Sequence, residues 1–195
     1  MRIAGLAVGV VMTMAAPAEA EWQIRPFLGL TFGGRTTLLD LDQGVGDPNV
    51  AFGASALLLG ELVGVEADFS RAPGFFQSGQ QNLVLHSSAT TLTGNIVVAL
   101  PRRMAEYTLR PYFVGGGGLM RATIGDAFNV LPVARTLAAI DLGGGVTGFF
   151  TERIGVSWEI RRFRSVGGNT ESQGLSIGGE QLSFWRANMA LAIRY

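Results

Sequence analysis

From Trp22 onward, apolar and polar side chains alternate with a period of two. Trp22, Ile24, Pro26, Leu28, Leu30 and Phe32 share one face of an extended segment, while Gln23, Arg25, Phe27, Gly29 and Thr31 share the other. Seven further segments follow. Val50 to Leu59 and Leu62 to Phe69 make a hairpin about Gly60-Glu61, and in its second arm Val63, Val65, Ala67 and Phe69 oppose Gly64, Glu66 and Asp68. Leu92, Ile96, Val98 and Leu100 alternate with Thr91, Thr93, Asn95 and Ala99. A fifth run covers Leu109 to Met120, where Gly115 to Gly118 leave the facing of the side chains open. Ile140, Leu142, Val146 and Phe150 oppose Asp141, Gly143, Gly145 and Thr147; Val156, Trp158 and Ile160 oppose Ser157, Glu159 and Arg161. In the last run Trp185, Ala187, Met189, Leu191, Ile193 and Tyr195 share a face.

These segments run about 9 to 12 residues each, the length of a tilted strand in a bilayer. Their links are alternately short (near 60, 101 to 106, 151 to 153) and long (34 to 48, 70 to 82, 121 to 135, 165 to 180). The pattern predicts an all-β fold, an eight-stranded antiparallel up-and-down transmembrane β-barrel, because hydrocarbon offers no water to unpaired backbone groups and admits only closed sheets. A soluble barrel of the lipocalin kind alternates too, but hides its apolar face inside. Three features favour lipid. Only 15% of residues are charged, against roughly 25% in ordinary soluble proteins, too few to furnish a fully wetted surface. Aromatic residues fall towards segment ends (Trp22, Phe32, Phe69, Tyr112, Phe150, Trp185, Tyr195), and the chain finishes on one of them.

The N-terminus supplies the compartment. Arg2 precedes an apolar run from Ile3 to Met14 and a small-residue stretch ending Ala18-Glu19-Ala20, which reads as a signal peptide over residues 1–20 with an A-x-A cleavage site at Ala18 and Ala20. Residues 21–195 then form one barrel domain, destined for the outer membrane of a Gram-negative bacterium. Cysteine is absent, so there is no disulfide, thiolate nucleophile or thiolate metal site. Fifteen cations, all arginine, balance 15 anions, leaving no basic stripe for nucleic acid. No cofactor is expected.

With the greasy face outside, the other face becomes the interior. It carries Arg25, Arg161, Arg186 and Arg194 beside Glu66, Asp68, Asp141 and Glu159. Enclosed charges are costly unless paired, and eight strands leave room for little beyond side chains, so an ion-pair network that fills the lumen is expected in place of a large pore.

The signal peptide, the eight segments and the ending S-F-W-R-A-N-M-A-L-A-I-R-Y together resemble the small outer-membrane β-barrel family typified by the transmembrane domain of outer membrane protein A. Weaker family-like phrases lie at Gly64 to Ser70, Leu109 to Gly118 and Asp141 to Phe150. The resemblance implies that Trp185, Met189, Leu191, Ile193 and Tyr195 form the C-terminal signal read by the barrel assembly machinery, with periplasmic chaperones as earlier partners. It also implies contact with outer-membrane lipids and lipopolysaccharide. No peptidoglycan-binding domain follows Tyr195, so a cell-wall anchoring role is not carried over.

Candidate chemistry is sparse. His86 and Ser88, in an H-x-S string that resembles the motif of outer-membrane lipid A deacylases, stand on one face of a strand, but no carboxylate follows them until Glu106. Gly143-x-Gly145-x-x-Gly148 has the dinucleotide spacing yet lies in an alternating strand with no helix after it. Glu66 and Asp68 read as lumen anions before they read as an acid/base pair, and Asp40, Asp42 and Asp47 lack the ligand set of a calcium loop. The expectation is a structural or surface-interaction barrel without catalytic residues. A lipid A-modifying hydrolase at His86/Ser88 and a narrow ion-conducting barrel are the alternatives.

Overall fold

The protein is described by a computed structural model covering residues 20–36, 48–75, 84–101, 109–126, 133–166 and 182–195. Ala18 and the preceding residues, as well as Asp40, Asp42 and Asp47, lie outside the described residues. Eight strands follow one another: β1 (Glu21–Thr36), β2 (Asn49–Leu59), β3 (Val63–Pro73), β4 (Val84–Ala99), β5 (Leu109–Asp126), β6 (Val133–Phe149), β7 (Ile154–Ser165) and β8 (Leu182–Arg194). Each pairs antiparallel with the next, and β1 closes on β8. Among the described residues no helix is long and apolar enough to cross a membrane.

Closure has a fixed stagger. Following paired residues from Glu21 through Leu59, Gly64, Val97, Val114, Gly143, Arg161 and Arg186 leads back to Thr31, ten positions further along β1. Such a shear tilts the strands by roughly 35–45° and gives an interior just wide enough for side chains. A bulge interrupts the β1–β8 ladder between Phe32 and Arg35, where Gly33 takes a φ of 61° that a side chain would strain.

Strands β1, β4, β5 and β6 are 16 to 18 residues long, well beyond the apolar alternation visible in the sequence. The β4–β5 ladder continues to Val84–Asp126 and the β5–β6 ladder to Ile124–Val133, so that residues 121–126 and 133–135, which read as loop in the sequence, are strand. Beyond the hydrocarbon the outer face has no need of apolar residues, so the pattern stops while backbone pairing continues. The extra length is all at the end bearing the long connections.

Outward-facing apolar residues form a continuous belt, for example Phe69, Leu92 and Leu119 side by side and Val65 next to Ile96. Gly115 to Gly118 take a definite register: Val114, Gly116, Gly118 and Met120 point inward. The interior has three levels. Leu57, Leu59, Val97, Ala99, Tyr112 and Val114 pack near the short turns, and a second apolar cluster around Phe75, Met120, Leu137, Phe163, Leu182 and Phe184 fills the opposite half. The charged residues lie between them.

The belt yields a direct expectation. Ile96, 60% exposed on the outer face between Val65 and Gly115, stands near mid-height of β4. Ile96→Arg should cost about 2–4 kcal/mol of stability in lipid vesicles, measured by urea unfolding. An unchanged midpoint would mean that hydrocarbon does not cover this face.

Candidate functional site

The central level of the lumen is built on two arginines whose side chains are 0–1% exposed. Arg161, from β7, donates Nε to Glu159 Oε1 at 2.5 Å, Nη2 to Glu159 Oε2 at 2.6 Å and to Glu66 Oε1 at 2.5 Å, and Nη1 to Asp141 Oδ2 at 3.3 Å. One guanidinium thus ties β7 to β3 and β6. Arg186, from β8, forks onto Asp68 with two bonds of 2.9 Å and lies 3.7 Å from Glu159. It is also held between two rings, 4.6 Å from the centroid of Phe27 and 4.9 Å from that of Phe163. A planar fork with five donors suits both arrangements, which a lysine ammonium cannot reproduce.

Glycines make the space. A side chain at Gly143 would meet Arg161 Cγ at 2.7 Å, and one at Gly145 would meet the Tyr112 hydroxyl at the same distance. The string Gly143-x-Gly145-x-x-Gly148 is therefore wall, lying in β6 without a helix behind it.

Two members of the expected network are placed differently. Arg25 pairs with no carboxylate among the described residues; it donates Nε and Nη2 to Gln23 Oε1 at 2.9 and 2.6 Å and lies over the Tyr112 ring at 5.2 Å. Arg194 pairs with Glu21 at the rim near the short turns and stacks on Phe149, away from the centre. Glu66, Asp68, Asp141, Glu159, Arg161 and Arg186 come together. Two directly bridging cations therefore serve four carboxylates.

Tyr112, expected among the interfacial aromatics, is 4% exposed and faces inward. It shares the parity of Arg110 and Val114, and its hydroxyl donates to Glu159 at 2.9 Å beside Ser157 at 3.0 Å. The missing Gly145 side chain admits its ring. Glu21, Gln23 and Tyr112 join the rim to the centre: Gln23 Nε2 donates to Glu21 at 2.8 Å, and Gln23 Oε1 accepts from Arg25, which covers Tyr112. Their period-two spacing along β1 could have marked Glu21 and Gln23 as lumen residues. Arg110 donates to the carbonyls of Leu100, Gly60 and Glu61, latching two short turns together, a role with no signature in the sequence.

Ser88 falls on the outer-face set of β4, with Pro73 and Thr123 as ladder partners and no carboxylate among them. His86 lies in the same strand, opposite Gly125, and its side chain is outside the described residues. Trp185, Met189, Leu191 and Ile193 stand along the outer face of β8, and Tyr195 follows its last residue, exposed. Ala20 is exposed just before β1.

No protein-family model matches the chain, and no curated protein matches it. Solved structures do. Neisserial surface protein A is similar over 89% of this chain and 97% of its own, with a TM-score of 0.63 at 11% identity. The outer membrane protein OprG of Pseudomonas aeruginosa covers 90% and 96%, at 0.55 and 13%. Ail, the attachment invasion locus protein of Yersinia pestis, covers 89% and 99%, at 0.52 and 11%. The chain has the fold of the small eight-stranded outer-membrane β-barrels.

The bridging role of Arg161 gives a second expectation. Arg161→Met strands Glu66, Asp141 and Glu159 without their shared cation, and should destabilise the barrel by about 3–5 kcal/mol in urea unfolding. Adding Glu66→Gln should recover part of that loss, since one of the stranded charges is gone. A loss below about 1 kcal/mol would contradict the bridging role.

Proposed function

We propose that the chain is exported and resides in the outer membrane as a structural or surface-interaction barrel, with a plugged, charge-paired lumen and no catalytic centre. The observation that carries this reading is the three-level interior. Apolar clusters stand on both sides of a buried layer in which Arg161 and Arg186 are bound to four carboxylates, so side chains occupy the lumen, while the outer wall is apolar. A conductor needs a wetted path, and a hydrolase needs a nucleophile, a base and an orienting carboxylate within reach of one another. Ser88, on the outer face beside Pro73 and Thr123, has no such carboxylate beside it in the ladder.

Barrels of similar fold bear names of surface and attachment proteins, which supports a role in contacts made at the outer end. The signal peptide over residues 1–20, insertion through the C-terminal Trp185-to-Tyr195 pattern by the assembly machinery, and contact with lipopolysaccharide complete the reading. Planar-bilayer recording tests its core. The purified protein should give no stable conductance; steady channels whose conductance changes with Glu66→Gln would overturn the plugged lumen.

A further inference from the structure

The charged side chains on the outer wall are distributed unevenly. Among the described residues, the strand positions facing outward carry Arg35, Arg71, Arg121, Arg162 and Arg164 and no aspartate or glutamate; Glu66, Asp68, Asp141 and Glu159 all face inward. Every one of these five arginines is exposed and lies towards the strand ends that bear the long connections. None has an acidic partner among the described residues. Five exposed cations with no counter-ion among the described residues, set near one end of a wall otherwise built of apolar residues, suit an anionic ligand.

Three of them converge. Arg164 and Arg35 both lie opposite Ser183 on β8, and Arg162 lies opposite Trp185, the partner of Phe32. At the β1 bulge a cavity of about 520 Å³ is lined by Arg35, Arg162, Ser183, Phe184 and Trp185 with Gly33 and Gly34, and Arg164 stands outside this lining, across the ladder from Ser183. Arg162 is already oriented, with its guanidinium 5.5 Å from the Trp185 ring centroid. Directly beneath on the same strands, Leu30, Ile160 and Met189 face outward and are exposed. Arg162 and Arg164 are the ninth and eleventh residues of β7, and a tilted strand climbs roughly 2.5 Å per residue, which sets both guanidiniums near the upper edge of an apolar band about 25 Å tall.

We propose that this β7–β8–β1 seam is a binding site for a phosphorylated, acylated glycolipid of the outer leaflet. Its phosphate is gripped by Arg35, Arg162 and Arg164, its sugar lies against Trp185, and its acyl chains run down over Leu30 and Ile160. Forked guanidiniums match phosphate oxygens, and cations above grease match a ligand with an anionic head and hydrocarbon tails. A soluble polyanion satisfies the arginines but leaves the apolar wall below them without a partner, which is why the lipid is preferred. The inference rests on the outer-membrane reading given above.

The test uses the mature chain with Trp22→Phe and Trp158→Phe, so that Trp185 is the sole tryptophan, folded into phosphatidylcholine vesicles containing graded amounts of bisphosphorylated lipid A. Trp185 emission should change and saturate. Replacing lipid A by its dephosphorylated form, or Arg35, Arg162 and Arg164 together by Gln, should raise the half-saturating amount by at least about tenfold, while Arg153→Gln in a short turn leaves it unchanged. Single Arg35→Gln and Arg164→Gln variants, each weakening binding by about threefold, carry the test where the triple variant does not insert. Equal half-saturation with and without phosphate, or in the variants, overturns the site. The same emission change from inorganic phosphate alone at matching concentration overturns the lipid as its ligand. A chain that fails to insert into vesicles at all refutes the outer-membrane reading, whereas insertion with indifference to phosphate refutes this inference only.

Discussion

Everything in this structure follows from the need to leave no backbone N–H or C=O unpaired where water is absent. A sheet meets that need only by closing, and here β1 closes on β8 with a ten-residue stagger. Closure at eight strands dictates a narrow interior, so whatever points inward must be packed or paired. The same closure sends every second side chain to the outside, where the alternation becomes an apolar wall. One constraint on the backbone thereby sorts the side chains of the whole chain into two populations.

Inside, the sorting produces an unusual economy of charge. Arg161 and Arg186 reach four carboxylates on three strands, β3, β6 and β7, and so act as cross-braces through the lumen. The net stabilisation from such buried pairs over apolar packing is small or negative, but the cost of a wrongly registered strand is large, because any slip by one residue would strand a charge in hydrocarbon. The network therefore acts chiefly on register, and the apolar clusters at either end supply the burial. On the outer wall, Arg35, Arg71, Arg121, Arg162 and Arg164 lie towards the strand ends that bear the long connections.

Period-two alternation made the eight strands, their order and the facing of Glu66, Asp68, Asp141, Glu159, Arg161 and Arg186 legible, because a strand presents no other choice of faces. Strand length was not legible: Ala122, Thr123 and Val133 continue the ladder beyond the lipid, where no apolar signal is needed. Nor was the three-level lumen. Phe163 follows the inward polar residues Ser157, Glu159 and Arg161 on β7, and only the stagger of the barrel brings it and Phe184 together with Phe75. Tyr112 was misplaced for the related reason that an aromatic near a strand end reads alike on either face. The partners of Arg25 and Arg194 depend on which rows meet across the cylinder, which a linear pattern does not encode.

The orientation of the wall carries the whole account, and a chain without cysteine allows it to be read position by position. Single cysteines placed in turn from Leu92 to Val98, labelled with a fluorophore and quenched by brominated lipid in vesicles, should give a signal of period two. Quenching should be strong at 92, 94, 96 and 98 and weak at 93, 95 and 97. A flat profile, or one with the two sets exchanged, would contradict the outward placement of the apolar face and the structure of the lumen with it.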